Sequence, residues 1–329
     1  MKLGFILPGS YAALPADIAA RFPDVEIAAG ATPDEIAAAL PGLDALVSST
    51  LIYTEAFASR LAREAPRLRW LQVLSTGVDG ILKAGVPPRV ILTSATGVHA
   101  NAVADHALAL LLALMRKLPE ALSYQAMGHW SRRHLENRAW ALEGRRVLVP
   151  GFGTIGRALC RRLAAADAEV IAFNRHGGES GLEGVRLEPL SQLSALLPDA
   201  DAIVLCLPGD DALRGLIGAA ELAALPAHAL IVNIGRGNLI DQTALATALA
   251  SGSIGGAGLD VYEKEPLAEG DLFWGLPNLI ATPHIGGVGG QNYQHFKALL
   301  EDNITRFCAG QPLRNAVPGT GDQSVSAFR

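Results

Sequence analysis

The sequence has 329 residues, of which 50% are hydrophobic and 18% are charged. This composition is typical of a globular protein, and the length is sufficient for two domains that each have their own core. The formal net charge is −5 and the sequence contains no basic run. Nucleic acid is therefore not an expected partner.

The apolar segments are short, and the longest, Ala107–Met115, cannot span a bilayer. The first residues, Met1–Pro8, predict a strand and not a signal peptide, because no small-residue cleavage site follows a longer apolar core. Cys160, Cys206 and Cys308 are widely spaced, which gives neither a disulfide framework nor metal-ligand spacing. We expect no metal, no membrane partner, a cytoplasmic location and cysteines that act as small core residues.

Residues 1–98 alternate short apolar runs with helical patterns, which predicts a parallel sheet covered by helices. The expected strands are Leu3–Leu7, Val25–Ala29, Leu43–Ser48, Leu68–Leu74 and Val90–Ser94. The expected helices are Pro15–Phe22, one that begins at a capping box in Thr32-Pro33-Asp34-Glu35, and Thr54–Ala65. No glycine fingerprint follows these strands, so we expect this unit to bind something other than a dinucleotide.

The segment Ser75–Gly80 directly follows one of these strands. In open α/β sheets, ligands bind outside the carboxyl ends of the strands. The backbone N–H groups of this segment are therefore candidates for binding an anion. An ordinary turn explains the same residues equally well.

Two helical patterns follow the first unit. Ala100–Met115 is too apolar all round for a surface helix, so we expect it to be buried between domains or subunits. Lys117–Gly128 is predicted to continue as a second helix that is broken near Pro119, since proline disrupts a helix interior.

A second alternation of strands and helices contains Gly151-Phe152-Gly153-Thr154-Ile155-Gly156. A strand pattern, Arg146–Val149, precedes this stretch, and a helical pattern, Arg157–Ala164, follows it. In that context the G-x-G-x-x-G spacing predicts a turn that binds the pyrophosphate of a dinucleotide. The free N–H groups and the positive dipole end of the helix favour the same anion.

The strands of this second unit are expected to begin near Val147, Val170, Ala202, Leu230, Gly256 and Leu279. Six strands with helical connections are the number in a doubly wound dinucleotide domain. After Gly290, a helical pattern over Tyr293–Cys308 is expected to return the chain to the first unit.

The end of the second strand of this unit bears on the choice of cofactor. An acidic residue normally stands there and bonds the ribose 2′-hydroxyl of NAD. Here the strand ends in Asn174-Arg175-His176, without the acid. Asn174 and Arg175 would instead accept a 2′-phosphate, for which a guanidinium group is well shaped. The sequence therefore favours NADP(H) over NAD(H). The alternative interpretation is that Arg175 is only a surface charge without a role in cofactor binding.

Three segments, Ile231–Gly237, Gly258–Pro266 and Ala281–Gly287, lie at the ends of later strands of the same unit. Hydride transfer to a ketone builds negative charge on its oxygen, and a histidine that titrates near neutrality is a suitable proton donor. A nearby carboxylate favours the charged imidazole, and an arginine can hold the carboxylate of a 2-oxo acid. Arg236, an acidic residue of the second segment and His284 meet these needs.

In these segments the chain resembles the D-isomer-specific 2-hydroxyacid dehydrogenases. The likeness rests on Val232–Gly237, Gly258–Pro266 and Pro277–His284, in the order of the family, and extends over nearly the whole chain. The resemblance implies a doubly wound α/β dinucleotide domain over residues 99–287. It also implies a smaller, flavodoxin-like α/β substrate domain formed by residues 1–98 and 288–329.

The resemblance also implies roles for individual residues. Arg236 would bind the carboxylate and carbonyl of the substrate, His284 would be the acid/base, and Glu265 would be its partner. Asp260 would bond the nicotinamide carboxamide, and Thr76-Gly77-Val78 would bind the substrate carboxylate. Pro208 joins the cofactor-binding residues through its place near the adenosine site.

Within the family, the strand end at Asn174-Arg175 is similar to that of NADPH-preferring glyoxylate/hydroxypyruvate reductases. We therefore expect reduction of a small 2-oxo acid, while D-lactate dehydrogenation and larger 2-oxo acids stay open. The resemblance further implies a homodimer formed through residues 100–140, in which Trp130 either lies near the partner's active site or simply packs in the interface. A long phosphoglycerate dehydrogenase is not expected, because no regulatory domain follows. A nucleotide-sensing protein without turnover is the alternative from another functional class.

Overall fold

The structure is a computed structural model that describes residues 1–321. Its internal contacts divide the chain into two units, Met1–His99 with Gly289–Arg329, and Ala100–Val288. Each unit is a parallel sheet flanked by helices, which confirms the predicted α/β fold class. Residues 322–329, which the predicted substrate domain includes, lie outside the described residues.

The first unit contains a five-stranded parallel sheet. Its strands are β1 (Lys2–Ile6), β2 (Glu26–Gly30), β3 (Ala45–Ser48), β4 (Trp70–Val73) and β5 (Ile91–Thr93), and its first helices are α1 (Leu14–Arg21), α2 (Glu55–Glu64) and α3 (Asp79–Ala84). The strand order is β2-β1-β3-β4-β5. All residues of β3 and β4 are buried, as expected where apolar clusters cover both faces of a parallel sheet.

The helix predicted from the capping box at Thr32 does not form, although local hydrogen bonds of that type do. The Glu35 N–H donates to Thr32 Oγ1 (3.4 Å), and Glu35 Oε2 accepts from the Ala31 N–H (3.0 Å). The chain continues as a turn and then as a 3-10 helix, Ala37–Gly42, that contains Pro41. Proline lacks an N–H and its ring clashes with the carbonyl four residues earlier, so an α-helix cannot extend through this position.

The second unit contains a seven-stranded parallel sheet. Its elements are, in chain order, α4 (Ala100–Met115), α5 (Leu118–Ala126), α6 (Arg132–Leu135), β6 (Arg146–Pro150), α7 (Thr154–Ala164), β7 (Glu169–Asn174), β8 (Val185–Pro189), α8 (Leu193–Leu196), β9 (Ala202–Leu205), α9 (Ala219–Ala224), β10 (Leu230–Asn233), α10 (Gln242–Ser251), β11 (Gly256–Leu259) and β12 (Leu279–Ala281). The strand order is β12-β11-β10-β9-β6-β7-β8. The strand order reverses beside β6, which is where a doubly wound sheet forms its ligand crevice.

The predicted count of six strands is wrong, because it omits β8. This strand lies at the edge of the sheet, and β7 is its one neighbouring strand among the described residues. It buries two apolar side chains, Val185 and Leu187, while Arg186 and Glu188 form an ion pair (3.1 Å). A short edge strand with charged residues carries a weak sequence signal.

Helix α4 has its predicted bounds, but its apolar face packs on the sheet of its own unit. Gly256 and Gly258 of β11 lack side chains, and a Cβ built on Gly258 would lie 3.1 Å from the Cβ of Leu110. A Cβ on Gly256 would lie 3.3 Å from Leu114 Cδ2. The helix also packs against α7. This packing accounts for its apolar character, so burial between domains or subunits is not needed to explain it.

The break predicted near Pro119 lies slightly earlier in the chain. Lys117 has a φ of 57° in the left-handed region, and Pro119 stands in the first turn of α5. Proline is tolerated there because the first N–H groups of a helix have no partner within the helix.

The final helix, α11 (Gln291–Cys308), belongs to the first unit. Its Phe296 and Leu300 lie in the same apolar cluster as residues of the first sheet. The buried Asn303 donates to Gln72 Oε1 (3.2 Å) and accepts from the Arg314 N–H (2.7 Å). These bonds connect the helix both to the sheet and to the chain that follows it.

The expectation that all three cysteines act as core residues is wrong for one of them. Cys160 is buried and Cys206 is partly buried, but Cys308 is exposed at the end of α11. Among residues 1–321, no group of three His, Cys, Asp or Glu side chains is arranged to hold a metal ion. The helices within the same range are all too short or too polar to cross a membrane.

Asp201 connects the starts of neighbouring strands at the amino edge of the second sheet. Its carboxylate accepts from the Arg146 N–H (2.8 Å) and from Arg145 (3.0 Å), and it lies 2.9 Å from His228 Nε2. Burial acts to raise the pKa of Asp201, but these bonds outweigh it and hold the pKa below its usual value. A carboxyl group whose pKa is lower in the folded than in the unfolded protein stabilises the fold at pH values above its unfolded-state pKa. This contribution is lost as the pH falls through the folded-state pKa.

We expect Asp201→Asn to lower the free energy of unfolding near neutral pH by about 1–3 kcal/mol, because charged hydrogen bonds are lost. The variant should also lose less stability than the wild type on acidification to about pH 3, since it has no carboxylate to protonate there. Urea unfolding at both pH values measures the two effects. Asp199→Asn is the control, because Asp199 pairs with Arg146 but is 71% exposed. An unchanged acid dependence in Asp201→Asn would contradict this account.

Candidate active site

The predicted phosphate-binding turn connects β6 to α7. Gly151 has a φ of 106°, and a Cβ built on it would lie 2.6 Å from the carbonyl carbon of Cys206. A Cβ on Gly156 would overlap the carbonyl oxygen of Gly151. A Cβ built on Gly153, by contrast, would have no described atom within 4 Å beyond those of its immediate chain neighbours. Two of the glycines are thus required by packing, whereas the third borders an open cradle at the start of a helix, which fits a pyrophosphate.

Asn174 and Arg175 lie at the end of β7. Asn174 Oδ1 accepts from the N–H groups of His176 (2.8 Å) and Gly177 (2.6 Å). Because the oxygen is engaged twice in this turn, the amide can offer a ligand only its Nδ2 donors. Arg175 is exposed beside it. This strand end therefore presents hydrogen-bond donors and positive charge.

The loop that carries Arg236 is held by Asn233, which is buried at the end of β10. Asn233 Oδ1 accepts from the Gly235 N–H (3.0 Å), and its Nδ2 donates to the Arg236 carbonyl (2.9 Å). A Cβ on Gly237 would overlap the peptide between Tyr262 and Glu263. The loop after β10 therefore packs directly against the loop after β11.

Glu265 and His284 form a hydrogen-bonded pair after the ends of β11 and β12. Glu265 Oε2 lies 2.7 Å from His284 Nδ1, and Glu265 Oε1 accepts from the Tyr262 N–H (3.0 Å). The carboxylate therefore favours a proton on Nδ1 and leaves Nε2 for a reactant. His284 has a φ of 54°, a backbone conformation that is uncommon for residues other than glycine.

Asp260 holds the loop that carries His284. Its side chain is buried, and its carboxylate accepts from Thr282 Oγ1 (2.6 Å), the Ile285 N–H (2.9 Å) and the Gly286 N–H (2.8 Å). The resemblance implies that Asp260 binds the nicotinamide carboxamide, but these bonds within the protein were not predicted. They flank His284 on both sides along the chain.

The strand order brings the Arg236 loop, Glu265 and His284 to one edge of the second sheet, because β10, β11 and β12 are parallel neighbours. The Thr76-Gly77-Val78 loop follows β4 in the other unit, where Thr76 Oγ1 donates to the Ala95 carbonyl (3.4 Å). Pro208 is exposed in the loop after β9. The substrate and cofactor roles of these residues stay predictions.

The sequence reasoning missed His106, whose imidazole also reaches Thr282 (3.0 Å). A weak signal was present, since His106 is one of three polar residues, with Asn101 and Asp105, on the strongly apolar helix α4. Its partners could not be inferred without the packing of α4 on β11.

Two glycine variants should separate the fold from phosphate binding. We expect Gly153→Ala to keep the thermal midpoint of the wild type but to bind dinucleotide at least about tenfold more weakly, because its methyl group enters the open cradle. Gly156→Ala should instead unfold at a lower temperature, since its methyl group overlaps the Gly151 carbonyl. Thermal unfolding and fluorescence titration with NADPH measure the two effects. Wild-type NADPH affinity in Gly153→Ala would argue against this site.

Comparison with known proteins identifies the family of the chain. The family model described as "D-isomer specific 2-hydroxyacid dehydrogenase, NAD binding domain" matches residues 108–286. The chain is 31% identical over 281 residues to a glyoxylate reductase of Thermococcus litoralis, which covers 84% of this chain and 83% of that protein. It is 28% identical over 295 residues to a D-3-phosphoglycerate dehydrogenase of Archaeoglobus fulgidus, with 89% of this chain covered.

The chain spans only 55% of the length of the Archaeoglobus protein. Among solved structures, it is similar to an NADPH-dependent glyoxylate/hydroxypyruvate reductase from Sinorhizobium meliloti in complex with NADP and sulfate. That similarity has a TM-score of 0.82 and 26% identity, and it covers 98% of this chain and 99% of the other. These matches confirm the resemblance in the sequence motifs. The chain belongs to the D-isomer-specific 2-hydroxyacid dehydrogenase family and contains its dinucleotide-binding domain.

Proposed function

We propose that this protein is an NADPH-preferring reductase that converts a small 2-oxo acid, of the glyoxylate or hydroxypyruvate type, into a D-2-hydroxy acid. The observation that carries the proposal is the contact of His284 Nδ1 with Glu265 Oε2 (2.7 Å). This pair lies at the carboxyl edge of the second sheet, where the Arg236 loop also lies. An imidazole paired with a carboxylate beside an arginine suits proton transfer to a substrate that carries its own carboxylate.

The chain's own residues have distinct tasks in this proposal. The guanidinium of Arg236 binds the substrate carboxylate and orients the carbonyl. NADPH, when bound, supplies the hydride. His284 donates the proton from Nε2 to the carbonyl oxygen, which removes the negative charge that develops there. Glu265 stabilises the imidazolium through Nδ1 and prevents the ring from rotating.

The preference for NADPH rests on the end of β7. The two hydrogen bonds to Asn174 Oδ1 leave its Nδ2 donors for a ligand, and Arg175 adds an exposed guanidinium. Both groups favour a 2′-phosphate over a 2′-hydroxyl. The Sinorhizobium relative, which is named as NADPH-dependent, supports the same choice. NAD(H) is the alternative cofactor.

The choice of a small substrate is supported by the Thermococcus relative, which is named as a glyoxylate reductase.

We also propose a homodimer formed through residues 100–140, because this segment exposes apolar side chains. Trp130 is 95% exposed and Leu122 is 62% exposed. Burial of such side chains favours association, and sedimentation equilibrium of the intact chain tests the proposal.

We expect His284→Ala to reduce kcat by a factor of roughly 10²–10⁴, because the proton donor is removed. The Kd for NADPH should change little. NADPH oxidation across a panel of 2-oxo acids and nucleotide titration measure these quantities, with the exposed His295→Ala as the control. A near-normal kcat in His284→Ala would remove the role proposed for this residue. Tight NADPH binding by the wild type without turnover of any 2-oxo acid would favour the nucleotide-sensing alternative.

We expect Arg175→Ala to reduce kcat/KM with NADPH by about tenfold or more, because a charge-assisted contact to the 2′-phosphate is lost. The value with NADH should be nearly unchanged. Arg186→Ala is the matched control, since it removes an equal charge from the neighbouring strand β8. A wild-type enzyme that prefers NADH, or equal losses with both cofactors in Arg175→Ala, would contradict the proposed preference.

A further inference from the structure

His106 reaches the catalytic loop from helix α4. Its Nε2 lies 3.0 Å from Thr282 Oγ1 and 3.4 Å from Asp260 Oδ1, and its side chain is 19% exposed. These atoms belong to three separate elements: α4, the end of β11 and the segment after β12. The roles proposed for Arg236, Glu265 and His284 do not involve this imidazole.

The hydrogen bonds determine which nitrogen of His106 carries a proton. The Thr282 hydroxyl has a single proton. Its shortest hydrogen bond (2.6 Å) is to Asp260 Oδ1, and since an ionised carboxylate can only accept, the hydroxyl donates its proton there. Thr282 Oγ1 therefore accepts from His106. Since both neighbours of His106 Nε2 are acceptors, Nε2 is the protonated nitrogen and the imidazole is a donor to this cluster.

The position of His106 follows from the same packing that forms the core. Leu114 lies against Gly256, Leu110 lies against Gly258, and His106 lies beside Asp260. Residues four apart share one face of a helix, and residues two apart share one face of a strand. The absence of side chains at the two glycines brings α4 close to β11, so the imidazole is held at the strand end by its neighbours.

The cluster acts on the backbone around His284. Thr282 precedes His284, while Ile285 and Gly286 follow it, and all three donate to the Asp260 carboxylate. The left-handed backbone of His284 costs free energy for a non-glycine residue. The bonds to Asp260 help to offset that cost. A Cβ on Gly286 would lie 2.8 Å from Asp260 Oδ2 and 3.3 Å from His106 Cδ2, which shows how closely the loop is packed on both side chains.

We propose that His106 is a positioning residue for catalysis: through Thr282 and Asp260 it holds the loop that places His284. The proposal rests on the proposed function in that it assumes His284 to be the proton donor. His106 itself donates a hydrogen bond to the cluster and does not take part in proton transfer to the substrate.

The kinetic test compares His106→Ala with His106→Gln, whose Nε2 amide is a hydrogen-bond donor of similar reach. His106→Ala should lower kcat by about tenfold to a hundredfold, because small displacements of a catalytic group are costly. The Kd for NADPH should stay within about twofold of the wild type, and His106→Gln should recover most of the lost kcat. Equal losses of kcat in both variants, or a loss confined to NADPH binding, would overturn the proposal.

A second measurement does not require turnover. Hydrogen exchange of the Ile285 and Gly286 amides reports directly on their bonds to Asp260, and we expect it to accelerate about tenfold or more in His106→Ala. Exchange should return toward wild-type rates in His106→Gln. The matched control is His228→Ala, which removes a histidine bonded to Asp201 at the opposite edge of the same sheet (2.9 Å). Unchanged exchange in His106→Ala, or equal acceleration in the control, would overturn the proposal.

Thr282→Val completes a double-mutant cycle with His106→Ala. If His106 acts through the Thr282 hydroxyl, the double variant should lose no more amide protection than the larger single loss. Fully additive losses would contradict that connection. A wild type that turns over no 2-oxo acid would refute the proposed function alone, since the exchange rates still decide the role of His106.

Discussion

The parallel pairing of β10, β11 and β12 is the constraint on which the candidate active site depends. Parallel strands end at the same edge of a sheet, so segments that are distant in sequence must meet there. The Arg236 loop, Glu265 and His284 each follow one of these strands. A shift in the pairing of β11 with β12 would move Glu265 away from His284, although every residue of the site would still be present.

Close approach of backbones makes this arrangement rigid. Gly237 allows the Arg236 loop to contact the peptide after Tyr262, and Gly258 allows helix α4 to pack against β11. A methyl group at Gly237 would overlap that peptide, and a methyl group at Gly258 would crowd the Leu110 side chain. The glycines of this unit therefore differ, since some are required by packing, whereas Gly153 borders open space.

The site also concentrates unfavourable features that the surrounding structure must offset. The Asp260 carboxylate is buried, and His284 has a left-handed backbone. Burial of a charge is costly unless donors surround it, and here the donors come from the strained loop itself and from His106. The loop satisfies the buried charge, and the charge in turn holds the loop.

The features that are local in the chain could be predicted from the sequence: the alternation of strands and helices, the glycine-rich turn after β6 and the polar residues at three strand ends. The sequence predicted an α-helix after Thr32, where the chain instead forms a turn and a 3-10 helix that contains Pro41, and it missed the edge strand β8. The bonds of Asp260 to the loop that carries His284, and the contact of His106 with Thr282, a residue 176 positions away, became visible only in the folded structure. Hydrogen bonds between such distant side chains depend on how helices pack on the sheet, and no local pattern of residues encodes that packing.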